Sequence, residues 1–342
     1  MPVEVPSWVE FGELEARVAA LESQPEPEPV PEPEPEPEPG PEPGLLVNAL
    51  QNPSASGWPD ATNTGVPAGT TLIPSPDLRV LDTSLRENGV TVANRPTSGS
   101  LVRGPVTLYP DRTLIDRAAT ARIQQSSKWP LHITRSRVRR PDGVVTSAVY
   151  PIDTRDTREN AMTFVYDCEI YGGMNDSAIC QSFIDVRRCD ISGGEDHIRF
   201  GHQVIYRDNY LHDPERFEGG HVDSFQSGGA SNAEVVHNTI LCATRVPDGQ
   251  GVEFGDGWWD PYNAVLMIGN NAGPISGVLF EDNLVDGGNF TFNANWSTSH
   301  PHTGLVIRKN RFGRHFRYGP RSGDLGAEVW EGNVWDDTNE PV

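Results

Sequence analysis

Apolar and polar positions recur along the chain in one unit: apolar, any, apolar, two of any kind, then Asn, Cys or Ser, any, apolar. It reads Leu131-x-Ile133-x-x-Ser136-x-Val138, then Val165-x-x-Cys168-x-Ile170, then Ile184-x-Val186-x-x-Cys189-x-Ile191. It continues as Val204-x-Tyr206-x-x-Asn209-x-Leu211, Ala233-x-Val235-x-x-Asn238-x-Ile240 and Val278-x-Phe280-x-x-Asn283-x-Val285. Leu305-x-Ile307-x-x-Asn310-x-Phe312 follows, and Trp330-x-x-Asn333-x-Trp335 closes the series. Thr163 and Glu328 hold the first apolar slot in the second and eighth copies. Gaps of 20 to 45 residues between the polar anchors imply a coil of strands joined by loops of varying length.

Apolar residues at period two send one side of each strand into a core. A polar residue at a fixed place before each turn can stack on its equivalent one rung away, as Asn ladders do in stacked strands. Cys or Ser fits the same inward slot. No rung buries its apolar face alone, so neighbours supply the stability. The pattern therefore predicts an all-β, single-stranded, right-handed parallel β-helix. A sandwich or propeller also has short, regular strands. The fixed anchor and the absence of Asn-Gly or Asp-Gly two-residue hairpins between copies favour the solenoid.

Composition divides the rest of the chain. Residues 1–23 carry a short helix, with Phe11, Leu14, Val18 and Leu21 spaced as two turns of a coiled-coil seam. Alone that is too short to be stable, so it suits attachment or oligomerisation. Residues 24–44 are a near-continuous Pro-Glu repeat. Proline at every second position forbids helix and sheet, leaving a polyproline II spacer of roughly 60 Å. Residues 45–100 are irregular and are expected to cap the solenoid, which occupies 101–342.

Residues 1–44 hold twelve Glu and one Arg, a net −11 of the chain's −21. No basic stripe suggests nucleic acid, and no apolar run suggests membrane insertion. Met1 to Leu21 lacks the positive start and apolar core of a signal peptide, so synthesis in a cytoplasm is expected. Of the four cysteines, Cys168 and Cys189 hold consecutive anchors. Buried thiols in the ladder are favoured over a disulfide, and without a CxxC pair no structural zinc is expected.

Three segments carry a resemblance: Asn63 to Thr70, Leu131 to Val138, and Gly332-Asn333-Val334-Trp335-Asp336-Asp337. They resemble right-handed, pectin-lyase-like parallel β-helix proteins of actinobacteria and the minor tail proteins of their phages, over residues 45–342. A Glu-Leu-Glu-Ala-Arg-Val-Ala-Ala-Leu-Glu start and a Pro-Glu linker are similar to how phage tail proteins carry such domains. The resemblance implies a virion tail location, other tail proteins and a host envelope polysaccharide as partners, and allows a homotrimer.

Candidate chemistry sits where loops lengthen, at His212 to Val222 and Cys242 to Asn263. Aligning the second strands, those that follow each anchor, sets Asp196 and Asp223 one rung apart, about 4.8 Å. Two carboxylates that close cannot both ionise easily, so one pKa is expected to rise, as a general acid needs. The gap is also near that of retaining glycosidases. His197 and His221 flank the pair, and His221-x-Asp223-x-x-Gln226 resembles a signature of the same β-helix family. A corner ladder of Asp196, Asp223 and Asn263 without catalysis is the favoured account, ahead of catalytic acids. Calcium comes last, because Glu195, Asp196, Asp223 and Gln226 offer too few oxygens, and no other cofactor is expected.

A lyase would need a Lys or Arg base; Arg199 and Arg216 are the nearby options and neither has a matching motif. Trp258, Trp259 and Trp296 are candidate platforms for sugar rings, with Glu253 and Asp256 as polar contacts; at least one of Trp258 and Trp259 is expected to anchor its own loop. The leading expectation is a phage tail or receptor-binding component that recognises an envelope glycan and is open to degrading it. A polysaccharide-degrading glycosidase or lyase, and a purely structural tail subunit, are the alternatives.

Overall fold

In a computed structural model the described residues are 48–140, 150–157, 161–173, 177–216 and 220–342. The expected helix and Pro-Glu spacer lie outside them. Each coil makes three strands. Ile184–Arg187 leads to Asp190–Ser192, then to Asp196–Phe200, and His202–Arg207 returns beside the first with Ile184 opposite Val204. Repetition builds sheets of 12, 11 and 11 strands, parallel except at their ends and side branches. Sheet I holds the first strand of each coil, sheet II the second and sheet III the third. The chain is a parallel β-helix.

Its core is the predicted inward set. Ile133, Val165, Val186, Tyr206, Val235, Phe280 and Ile307 are fully or almost fully buried and successive in register. Between sheets I and II the chain turns in two residues. The first takes a left-handed conformation in Arg117, Arg135, Asp167, Arg188, Asp208, His237, Asp282 and Lys309, with φ from 47° to 58°. Such angles cost non-glycine residues about 1–2 kcal/mol each. The anchors that follow offset this cost. Asn238 Oδ1 accepts both the backbone N–H and the Nδ2 of Asn209 at 2.9 Å, and Asn283, Asn310 and Asn333 repeat the pattern. An amide carries both donor and acceptor, so the column extends without an unpaired group. Cys168 and Cys189 continue it as buried free thiols.

A further coil precedes the eight. Thr113–Asp116 pairs with Leu131–Thr134, and Ala118 stands at the anchor, its N–H donated to Ser136 Oγ at 3.0 Å. Alanine cannot ladder, so the pattern did not reveal it.

Residues 45–100 do two different things. Leu78–Leu81, Ser84–Glu87 and Val90–Asn94 fold back on one another at the N-terminal end of sheet III. Residues 48–74 instead run the length of the corner between sheets I and II, against the direction of the coils. Asn48 donates to the Asp336 carbonyl oxygen, Trp58 stacks on His237, Gly65 donates to Arg188, and Ile73–Pro74 pairs with Ala118–Ala119. This strap ties the last coil to the first.

Candidate functional site

Asp196 opens a sheet III strand straight after a Gly193-Gly194 turn, both with positive φ. A Cβ on Gly194 would lie 2.6 Å from the Asp196 carbonyl oxygen, so the turn closes only with glycine there. Ladder register sets Asp196 opposite Asp223, with Ile198 opposite Phe225. Neither carboxylate is exposed, at 0% each. The Asp223 N–H donates to Asp196 Oδ1 at 3.2 Å, and Arg199 Nη2 donates to Asp196 Oδ2 at 3.0 Å. Gln226 Nε2 and Asn263 Nδ2 donate to the two Asp223 oxygens at 3.2 and 2.8 Å. Ala264, rather than Asn263, is the register partner of Asp223, so Asn263 joins from one position earlier.

Burial, followed by the Asp223 charge, pushes the Asp196 carboxyl well above the usual carboxylate range. Burial pushes Asp223 up to about 6, against the hydrogen bonds from Asn263 and Gln226. The two therefore titrate as a pair.

His197 is wholly buried and donates Nε2–H to the His212 carbonyl oxygen at 2.9 Å. Burial lowers its pKa to about 4, so it is neutral at pH 7. His221 is exposed, and its backbone N–H donates to Glu195 Oε1 at 2.6 Å. Arg216 pairs with Asp260 at 3.3 Å and lies over the Tyr262 ring. The structure thus gathers Asp196, Asp223, Arg199 and Gln226 at one corner, closed to solvent at both acids.

The segment 243–262, expected as part of a long loop, is a three-stranded antiparallel ribbon. Val252–Phe254 and Gly257–Pro261 form a hairpin, and the latter strand also pairs with Ala243 to Arg245. Gly255-Asp256 makes the two-residue turn, between paired Phe254 and Gly257. Alternation sends Trp258 and Trp259 to opposite faces. The Trp258 face also carries Asp260, which holds Arg216; Glu253 stands opposite Trp258 and is exposed.

The Trp259 face walls a cleft of about 780 Å³, which Phe254 and Asp256 also line. Its floor comes from successive sheet II coils, at Leu241, Asp286 and Phe312, and its other walls from 313–316, 336–337 and the strap at 48–51. At its centre His315 Nδ1 contacts Asp286 Oδ2 at 2.5 Å, and Nε2 contacts Asp256 Oδ1 at 3.1 Å. Trp259 stacks on the imidazole with centroids 4.1 Å apart, and Phe254 meets it edge-on. Burial lowers the His315 pKa, but the two carboxylates outweigh it and hold it up to about 9. The imidazolium ties the hairpin turn to the solenoid floor.

None of the acid-pair residues lines this cleft. Of the predicted sugar contacts, Trp259 and Asp256 do. Trp258 does not, and Trp296 stacks on His302 and donates Nε1–H to the Leu325 carbonyl oxygen. Sequence reasoning missed His315, Asp286, Arg314 and Asp337, which come from three coils and share no motif.

Among the described residues no group of three or more His, Cys, Asp or Glu is placed to hold a metal ion. The oxygens of Asp196 and Asp223 already accept four hydrogen bonds, which does not suit calcium. No described helix is long and apolar enough to cross a membrane. No family model, curated protein or solved structure matches the chain.

Proposed function

We propose that this chain is a phage tail or receptor-binding protein whose β-helix binds an envelope saccharide in the Trp259 cleft. The observation that carries the binding site is the cleft itself: about 780 Å³ of concave surface with aromatic walls and carboxylates at its rim. Sugar rings present apolar C–H faces to aromatic rings and hydroxyl donors to carboxylates, and a pocket of this size takes one to a few of them. The tail placement rests on the β-helix resemblance and on the long acidic spacer that precedes the strap.

The same geometry disfavours catalysis at Asp196 and Asp223. A general acid has to come within hydrogen-bond reach of the atom it protonates, and both carboxyls are shut inside the corner. In this reading they form a structural ladder, joined through the Asp223 N–H and held by Arg199, Gln226 and Asn263.

The test is retention of the purified protein on actinobacterial cell envelopes, with release of soluble saccharide measured in parallel. Binding without release, weakened by Trp259→Ala and indifferent to Asp223→Asn, is expected. Release of reducing ends or unsaturated sugars that Asp223→Asn abolishes would replace this account with a depolymerase.

A further inference from the structure

Resting on the cleft as the saccharide site, we propose that it selects an uncharged saccharide and turns away anionic chains such as polyuronates and phosphate-linked polymers. The argument is one of charge commitment. The cleft lining holds four carboxylates, Asp256, Asp286, Asp336 and Asp337, against two basic groups, Arg314 and His315.

Both bases are already taken. Arg314 makes a two-pronged pair with Asp337 at 2.6 and 2.9 Å and lies over the Trp335 ring. His315 spends both ring nitrogens on Asp286 and Asp256. Arg311, which does not line the cleft, pairs with Asp336 at 2.8 Å and donates to Asn339. Arg245, outside the cleft beside the hairpin turn, donates Nη2 to the Asp256 carbonyl oxygen at 2.6 Å.

An anionic ligand would have to break one of these pairs and leave its carboxylate facing the ligand's own charge. Two-pronged arginine–carboxylate pairs are among the stronger polar contacts in proteins. A neutral sugar breaks nothing. The Asp256 and Asp337 side chains are 57% and 42% exposed, so their oxygens can accept hydroxyl protons while the rings take the C–H faces.

The test uses the full chain on immobilised neutral polysaccharides (mannan, glucan, galactan) and on polygalacturonate and a poly(glycerol phosphate), at low and high salt. At least one neutral polymer is expected to bind at least tenfold more tightly than either anionic one, with the bound state insensitive to salt. Asp337→Asn, which releases Arg314 without changing shape, is expected to raise polygalacturonate binding several-fold. Asp337→Ala serves as the second variant, and thermal melts confirm that both fold. Anionic binding that equals the neutral, falls with salt and is lost in Trp259→Ala would overturn the selectivity while keeping the cleft as the site. Binding to neither set, or binding that Trp259→Ala leaves intact, would remove the cleft reading and this inference with it.

Discussion

The corner of Asp196 and Asp223 and the cleft of Asp256, Asp286 and His315 are built from the same kinds of side chain, yet their chemistry differs. At the corner, two carboxylates meet one guanidinium and several amides inside the solenoid. Burial dominates, both carboxyls are pushed up, and neither is exposed. At the cleft, two carboxylates meet across an imidazole that takes a charge, and one of them reaches solvent. Stacked carboxylates alone therefore do not mark a site. What matters is whether a counter-ion keeps them ionised and whether a wall stands open beside them.

Breaking the His315 clamp has the largest expected effect. Asp286→Ala removes the buried partner and leaves an imidazolium facing apolar floor, at a cost of about 2–3 kcal/mol, read as a lowered melting temperature. The clamp also sets a pH window. The His315 pKa is raised on folding, so its stabilisation is complete below the unfolded value near 6.5 and disappears as pH rises through about 9. His212, between Asp190 and Asp213, is raised to about 9 in the same way and should remain in the melting curves of the Asp286 variant.

Trp259→Ala should weaken envelope binding by tenfold or more, about 1.4 kcal/mol, with a smaller fall in melting temperature than Asp286→Ala. It removes the stacking on His315 but leaves both carboxylate contacts.

At the corner the window is lower. The Asp223 carboxyl is also raised on folding, so its contribution is complete below about pH 4 and disappears as pH rises through about 6. Asp223→Asn should gain stability relative to the parent across that window, measured by denaturant titration at each pH. His197, depressed to about 4, works the other way and loses its contribution as pH falls from 6.5, so the difference between variant and parent is the quantity to follow.

The smallest effect is expected at Trp258 and Glu253, where substitution by Ala should change envelope binding less than twofold. A larger loss at Trp258 would move the binding face to the other side of the hairpin.

The solenoid was legible because inward positions repeat. Once Val186, Tyr206 and Val235 share a slot, register follows, and with it the opposition of Asp196 and Asp223. A second signal went unread: the residue before each anchor alternates in charge from Arg135 through Asp167, Arg188, Asp208, His237 and Asp282 to Lys309. Arg188 pairs with Asp167, and His237 with Asp208, along the corner. Burial of the acid pair was not legible, because cover at a corner depends on how long loops lie.

The cleft was hidden for the same reason. Asn48, Asp256, Asp286, His315 and Asp337 are scattered over nearly 300 residues and meet only through coil stacking and the strap. The hairpin was announced locally by Gly255-Asp256, between strands too short to stand out from a loop.

Hydrogen exchange with and without soluble fragments of the envelope saccharide would test the account most directly. Slowed exchange confined to 48–51, 252–259 and 313–316, with 220–226 unchanged, is the predicted result. Slowed exchange at 220–226 with the hairpin and strap unaffected would place the ligand at the acid pair and contradict the account.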